Sequence, residues 1–132
     1  MNNDQTPIDK LEAALRTYGA DYGFVITDKE VKKLLGASDK AKFEIDGCTT
    51  VHLTESITDI GKVIEQSDDE TEFVAVVGAG IANKNIAMLV VKLCGNIVEV
   101  HALAREGLIR QGTARQAITK LEQSIVAKCK TK

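Results

Sequence analysis

Apolar residues recur along this chain with two different spacings, and the changes between them mark out its elements. Ile8, Leu11, Leu15 and Tyr18 fall on one face of a helix. Thr6-Pro7 supplies an N-cap and a first helical residue whose missing N–H costs nothing, Glu12 and Arg16 pair across one turn, and Gly19 ends the helix. Phe24-Val25-Ile26 reads as a short buried strand. Thr27-Asp28-Lys29-Glu30 has the form of a capping box, opening a two-turn helix with Val31, Leu34 and Leu35 inward and Gly36 as terminator. After a polar connection, Phe43-Glu44-Ile45, the Asp46-Gly47 turn and the alternating run Cys48 to Leu53 predict a hairpin. Thr54 or Ser56 then caps a helix carrying Ile57, Ile60, Val63 and Ile64, in which Gly61 is a weak point. Near the end, Thr113-Ala114-Arg115-Gln116 is another capping-box pattern, ahead of Ala117, Ile118, Leu121, Ile125 and Val126 at helical spacing.

The stretch from Glu72 to Ala104 is the longest apolar segment, and its pattern fits two foldings. In one, Phe73 to Val77 is a strand buried on both faces, Ile81 to Cys94 is a helix stopped by Gly95, and Ile97 to Ala104 is a parallel strand. Gly78-Ala79-Gly80 then resembles the glycine turn of a dinucleotide-binding strand–helix unit, although Asn83 replaces the third glycine and Ala102 stands near the usual acidic position. In the other, Gly95-Asn96 is a two-residue hairpin turn. It sets Cys94 opposite Ile97, Lys92 opposite Glu99, Val91 opposite Val100 and Val90 opposite His101. One face is then wholly apolar (Ala87, Leu89, Val91, Leu93, Val98, Val100, Ala102), and the other mixes Met88, Val90, Lys92, Glu99 and His101. Pairing and turn agree in this second folding.

The predicted fold is therefore α+β, a mixed, mainly antiparallel sheet with helices on both faces. This order of elements resembles the profilin-like and roadblock-type layout (helix, two strands, helix, three strands, helix) with an insertion. The resemblance is one of topology, and no functional residue is carried over from it. The alternative is a small α/β sandwich with a Rossmann-like βαβ unit at 72–104. No internal repeat or Pro- or Ser-rich linker interrupts residues 1–132, so one domain is expected, frayed at 1–5 and 129–132.

Composition narrows the function classes. Net charge is −2 and aromatic content 4% without Trp, so neither the basic footprint of a nucleic-acid binder nor its stacking platforms are present. The basic residues before and within the tail (Arg105, Arg110, Arg115, Lys120, Lys128, Lys130, Lys132) read as a solvated helix end. Three widely spaced cysteines form neither a disulfide framework nor a zinc signature. Cys48 and Cys94 read as small buried hydrophobes, and Cys129 as the exposed thiol. The first ten residues lack a secretory-leader pattern, and the apolar stretch is too interrupted to span a membrane, so the expected location is cytoplasmic.

The cofactor-binding candidates are Gly78, Gly80, Asn83 and Lys84, where free backbone N–H groups and the lysine would meet a phosphate. Leu108-Ile109, two apolar residues in a polar loop, is the interface candidate. His52 and His101 have no local partner of ligand spacing, so no metal ligand or catalytic residue is assigned, and no particular cofactor is named. Asp68, Asp69 and Glu70 read as a solvated turn. The expected function is a small non-catalytic binding or scaffold module acting through self-association or a protein partner, without nucleic acid or membrane. The alternative is a nucleotide- or phosphate-ligand-binding domain, open to enzymatic chemistry, built on the glycine turn.

Overall fold

The computed structural model describes residues 6–79, 85–105 and 112–130. Its elements are α1 (Pro7–Tyr18), a 3-10 turn (Gly19–Tyr22), α2 (Asp28–Gly36), β1 (Asp39–Glu44), α3 (Thr50–Ile60), β2 (Gly61–Gln66), β3 (Glu72–Ala79), β4 (Asn85–Cys94), β5 (Ile97–Ala104) and α4 (Thr113–Lys130). The five strands form one antiparallel sheet in the order β1-β5-β4-β3-β2.

The central stretch is the meander. Cys94 pairs with Ile97, Lys92 with Glu99, Val91 with Val100 and Val90 with His101, the register that the Gly95-Asn96 turn dictates. Gly95 takes φ +60, a conformation that a Cβ disfavours. Residues Asn85–Cys94 are a strand and not a helix, so the Rossmann-like unit is overturned. The physical reason is two-sided burial. Phe73, Ala75, Val77, Ala87, Leu89, Val91, Val98, Val100 and Ala102 enter a core closed by Leu53 and Ile57 of α3 and Ala117, Ile118, Leu121 and Ile125 of α4. The alternate residues Val74, Val76, Met88, Val90 and Leu103 enter a second core with Leu11, Ala14 and Leu15 of α1, Val31 of α2, and Phe24. A strand presents both sets at once because its side-chain period is two. The sheet is thus covered on both faces.

Three local readings are corrected. Cys48 to Leu53 does not return as a strand. Thr49 and His52 cap α3 reciprocally, and Leu53 and Ile57, four apart, face the core while Val51 is exposed. β1 pairs instead with β5, more than fifty residues away, through Phe43–Val98 and Ala41–Val100. Gly61 is not inside a helix but opens β2, and Val63 and Ile64 follow it in that strand. A Cβ on Gly61 would lie 2.0 Å from the Val76 carbonyl oxygen, so the close approach of β2 to β3 requires glycine here. Phe24 to Ile26 belongs to no strand among the described residues. The Phe24 amide closes back on Gly19, and Val25 is exposed.

At its N-terminal end α4 is tied to β1 by Arg115, which donates to both Asp39 carboxylate oxygens at 2.9 and 2.6 Å and to the Lys40 carbonyl at 3.1 Å. Burial pushes the Asp39 carboxyl up, but the guanidinium and the Lys40 amide outweigh it and hold the group below its usual range. Thr113 is the first residue of α4 and accepts a hydrogen bond from Asn85 Nδ2 at 3.1 Å, so its hydroxyl joins the helix to β4. The helix continues through Cys129, which is buried. No helix of the described residues is long and apolar enough to cross a membrane.

Candidate functional site

A cleft of about 280 Å³ opens between α1 and the β2–β3 edge of the sheet. The local sequence builds both walls. On one side, Thr6 accepts from the Asp9 amide at 3.1 Å while Asp9 accepts from the Thr6 amide at 3.3 Å, which fixes where α1 starts. Leu11 and Leu15 seat the helix on the sheet, and that rotation turns Lys10, Ala13, Ala14, Thr17 and Tyr18 toward the cleft. Glu12 and Arg16 pair on the outer surface at 3.0 Å, and Arg16 also reaches Asp28 of α2 at 3.1 Å.

The opposite wall depends on a break in β2. Lys62 pairs with Val76 and Val63 with Ala75, but Glu65, not Ile64, pairs with Val74. This bulge resets the alternation. In a regular strand Lys62 and Glu65 would point to opposite faces; here both lie on the side of Val74 and Val76, which faces α1. Glu65 is thereby delivered to Tyr18, whose hydroxyl donates to Glu65 Oε2. That bond to a carboxylate, reinforced by burial and by the negative charge, raises the Tyr18 pKa and keeps the phenol a donor.

The far end is closed by the turn after β2. The Ser67 amide donates to the Glu72 carbonyl at 2.8 Å, and Glu70 takes the left-handed conformation at φ 62. Asp69 accepts from Ser67 Oγ at 2.6 Å, from Thr71 Oγ1 at 2.8 Å and from the Thr71 amide at 3.2 Å. Those donors lower its pKa to about 2. Lys10 forms an ion pair with Glu72 at the cleft wall. Val74 and Val90 complete the lining as an apolar floor.

Beyond the cleft, the same face carries a row of alternating charge. Lys42 lies 3.5 Å from Glu99, Glu99 is paired in register with Lys92, and Lys92 with Glu72. Each such pair adds roughly 0.2–1 kcal/mol to sheet pairing. His101 lies beside this row, opposite Lys40 and Val90. Burial lowers its pKa, and Lys40 and Lys42 add to that effect against the attraction of Glu99, so the ring is a weaker base than a free imidazole.

The residues singled out from sequence do not come together. Gly78 is a β3 residue opposite Ile86, and its carbonyl accepts from Lys120 Nζ at 2.9 Å. Because Asn85–Cys94 is a strand, the helix expected over Ile81 to Cys94 does not form across those residues. Gly80, Asn83 and Lys84, like Leu108 and Ile109, lie outside the described residues. His52 is a capping residue, its Nδ1 accepting from the Thr49 amide at 3.2 Å. Cys94 is exposed, whereas Cys48 and Cys129 are buried in the same core, which reverses the expected order for Cys94 and Cys129. Burial, helped by the neighbouring Cys129 thiol, pushes the Cys48 thiol up to about 12. Among the described residues no group of three or more His, Cys, Asp and Glu could hold a metal ion.

Lys10, Tyr18, Glu65 and Glu72 were not found by sequence reasoning. Their separations, 47 residues between Tyr18 and Glu65 and 62 between Lys10 and Glu72, carry no local signal. Compared with protein-family models, curated proteins and solved structures, the chain shows no significant match.

Proposed function

We propose that this chain is a small non-catalytic binding module and that it takes a protein partner in the cleft between α1 and the β2–β3 edge. The observation that supports this reading is the construction of the cleft: an apolar floor under a rim of hydroxyl, amide, ammonium and carboxylate groups, held by a reciprocally capped helix and a bulged strand. Apolar surface with a few placed polar groups is the general form of a specific binding site.

The sheet edges suit this reading better than strand-to-strand self-association. The edge strand β1 exposes Lys40 and Lys42, and the edge strand β2 is bulged. Charge and bulges both discourage one sheet from adding to another. Sedimentation at micromolar concentration is expected to give a monomer.

Ala13→Trp tests the site. Ala13 is exposed on α1 at the cleft, so the indole fills the opening while the core residues Leu11, Ala14 and Leu15 stay in place. Partner capture that is lost in Ala13→Trp, with an unchanged circular dichroism spectrum and melting temperature, supports the reading. Capture that survives overturns it.

A further inference from the structure

Resting on that reading of the cleft, we infer that its ligand is a cationic group on an aliphatic stem: an ammonium or guanidinium at the end of a short methylene chain. The lining carries two carboxylates, Glu65 and Glu72, against one ammonium, Lys10. Lys10 is committed to Glu72 in an ion pair whose side chains are only 28% and 18% exposed. That pair is neutral as a unit. Glu65 is then the carboxylate of the lining that has no ion-pair partner within the lining, and its one hydrogen bond from the lining comes from a neutral phenol, Tyr18. A carboxylate has room for about four acceptor contacts, so Glu65 retains capacity for a charged donor. An anionic ligand would face the Glu65 carboxylate, and a neutral one would leave that capacity unused.

The shape of the lining points the same way. Below the carboxylates lie Ala13, Ala14, Val74 and Val90, an apolar surface continuous with the core of the α1 face. Lysine and arginine side chains have the complementary form, an apolar stem that lies along such a surface and a charged head that stays at the polar rim. The Tyr18 ring at the rim adds a π face near which a cation is favoured. A volume of about 280 Å³ accepts one such side chain or one small amine and no larger cofactor. The bulge in β2 is the feature that suits the site to a cation, because without it Glu65 would be turned to the other face of the sheet.

The same chemistry has two sources, a partner's side chain and a free amine, and the test separates them. Backbone amide shifts of the intact chain are followed during titration with n-butylammonium, 1-butanol and butyrate, which share a stem and differ in charge. The ammonium probe is expected to move the amides of Thr17, Tyr18, Glu65 and Gln66 and to bind at least tenfold more tightly than the other two. Glu65→Gln, an exposed substitution, is expected to weaken it about tenfold, the loss of one charge-assisted hydrogen bond. An acetylated Ala-Lys-Ala amide that binds more tightly than putrescine assigns the site to a partner's side chain; the reverse order assigns it to a free polyamine. Butanol or butyrate binding in the cleft as well as the ammonium overturns the inference and leaves the cleft a binding site. Shifts that miss the cleft with every probe overturn both.

Discussion

Replacing Gly61 with alanine separates two accounts of the same residue by the sign of the effect. If residue 61 sat inside a helix, alanine would stabilise the protein by up to about 1 kcal/mol, because glycine is the poorer helix former. In the structure it is the first residue of β2, directly after α3 and opposite Val77. The added methyl carbon would meet the Val76 carbonyl oxygen at 2.0 Å, its carbon at 3.0 Å and the Val77 Cα at 3.0 Å. All three are backbone atoms of the neighbouring strand and cannot rotate away. Ordinary carbon–oxygen contact needs more than 3 Å, so the strands must part by over an ångström where β2 begins. Overpacking of this kind costs about 3 kcal/mol or somewhat more. For a domain of this size, total stability is on the order of 5–15 kcal/mol and the urea m-value about 1–3 kcal/mol/M. The urea midpoint, followed by far-ultraviolet circular dichroism, is therefore expected to fall by about 1 M or more. Gly36→Ala serves as the control, since a Cβ at that helical position meets nothing within 4 Å and is expected to raise stability by about 0.5–1 kcal/mol. A Gly61→Ala midpoint equal to or above wild type would refute the placement of β2 against β3.

Three further outcomes follow from burial and hydrogen bonding. Cys94 is exposed while Cys48 and Cys129 are buried, so a thiol reagent such as Ellman's is expected to modify one cysteine rapidly in the native protein and three after denaturation; two fast thiols would contradict the packing of α4. Ser56 is fully buried and its hydroxyl oxygen has no hydrogen-bond partner among the described residues, so Ser56→Ala is expected to raise stability by about 1 kcal/mol in thermal melts, and a loss of that size would show a bond to that hydroxyl. The pH dependence has a defined sign: Asp69 is lowered from 3.8 to about 2 and His101 is lowered from 6.5, so stability from both is present above those ordinary values. It is lost as pH falls through 6.5 toward the lower His101 value, and again between pH 3.8 and about 2. Carboxyl NMR titration of Asp69 checks the second window, and a midpoint near 3.8 would show that Ser67 and Thr71 do not hold it.

The parts of the fold that could be read from sequence are those in which two local signals coincide. Gly95-Asn96 and the alternation on either side of it give the β4–β5 register pair by pair, and Thr6-Pro7 with Leu11 and Leu15 gives α1. Where a short segment satisfies both periods, the sequence is ambiguous. Thr49, Val51 and Leu53 alternate like a strand, but Leu53 and Ile57 also sit one helical turn apart, and the Thr49 hydroxyl decides for the helix by capping it. The partner of β1 was not readable, because an edge strand with lysines at alternate positions gives no sign of pairing with a strand more than fifty residues later. The cleft was hidden for a related reason. It joins α1 to residues 65–74, and Glu65 reaches it through a bulge, an irregularity between Val63 and Glu65 that no residue type announces.

The whole account rests on Asn85–Cys94 being the central strand of an antiparallel sheet, since this arrangement both removes the helix required by a phosphate site and builds the cleft floor through Val74 and Val90. Backbone NMR across those residues tests it most directly. Extended secondary shifts, with cross-strand contacts joining Val91 to Phe73 and to Val100, are the predicted result. Helical shifts over Ile86 to Leu93 would contradict it and return the glycine turn at Gly78 to the centre of the problem.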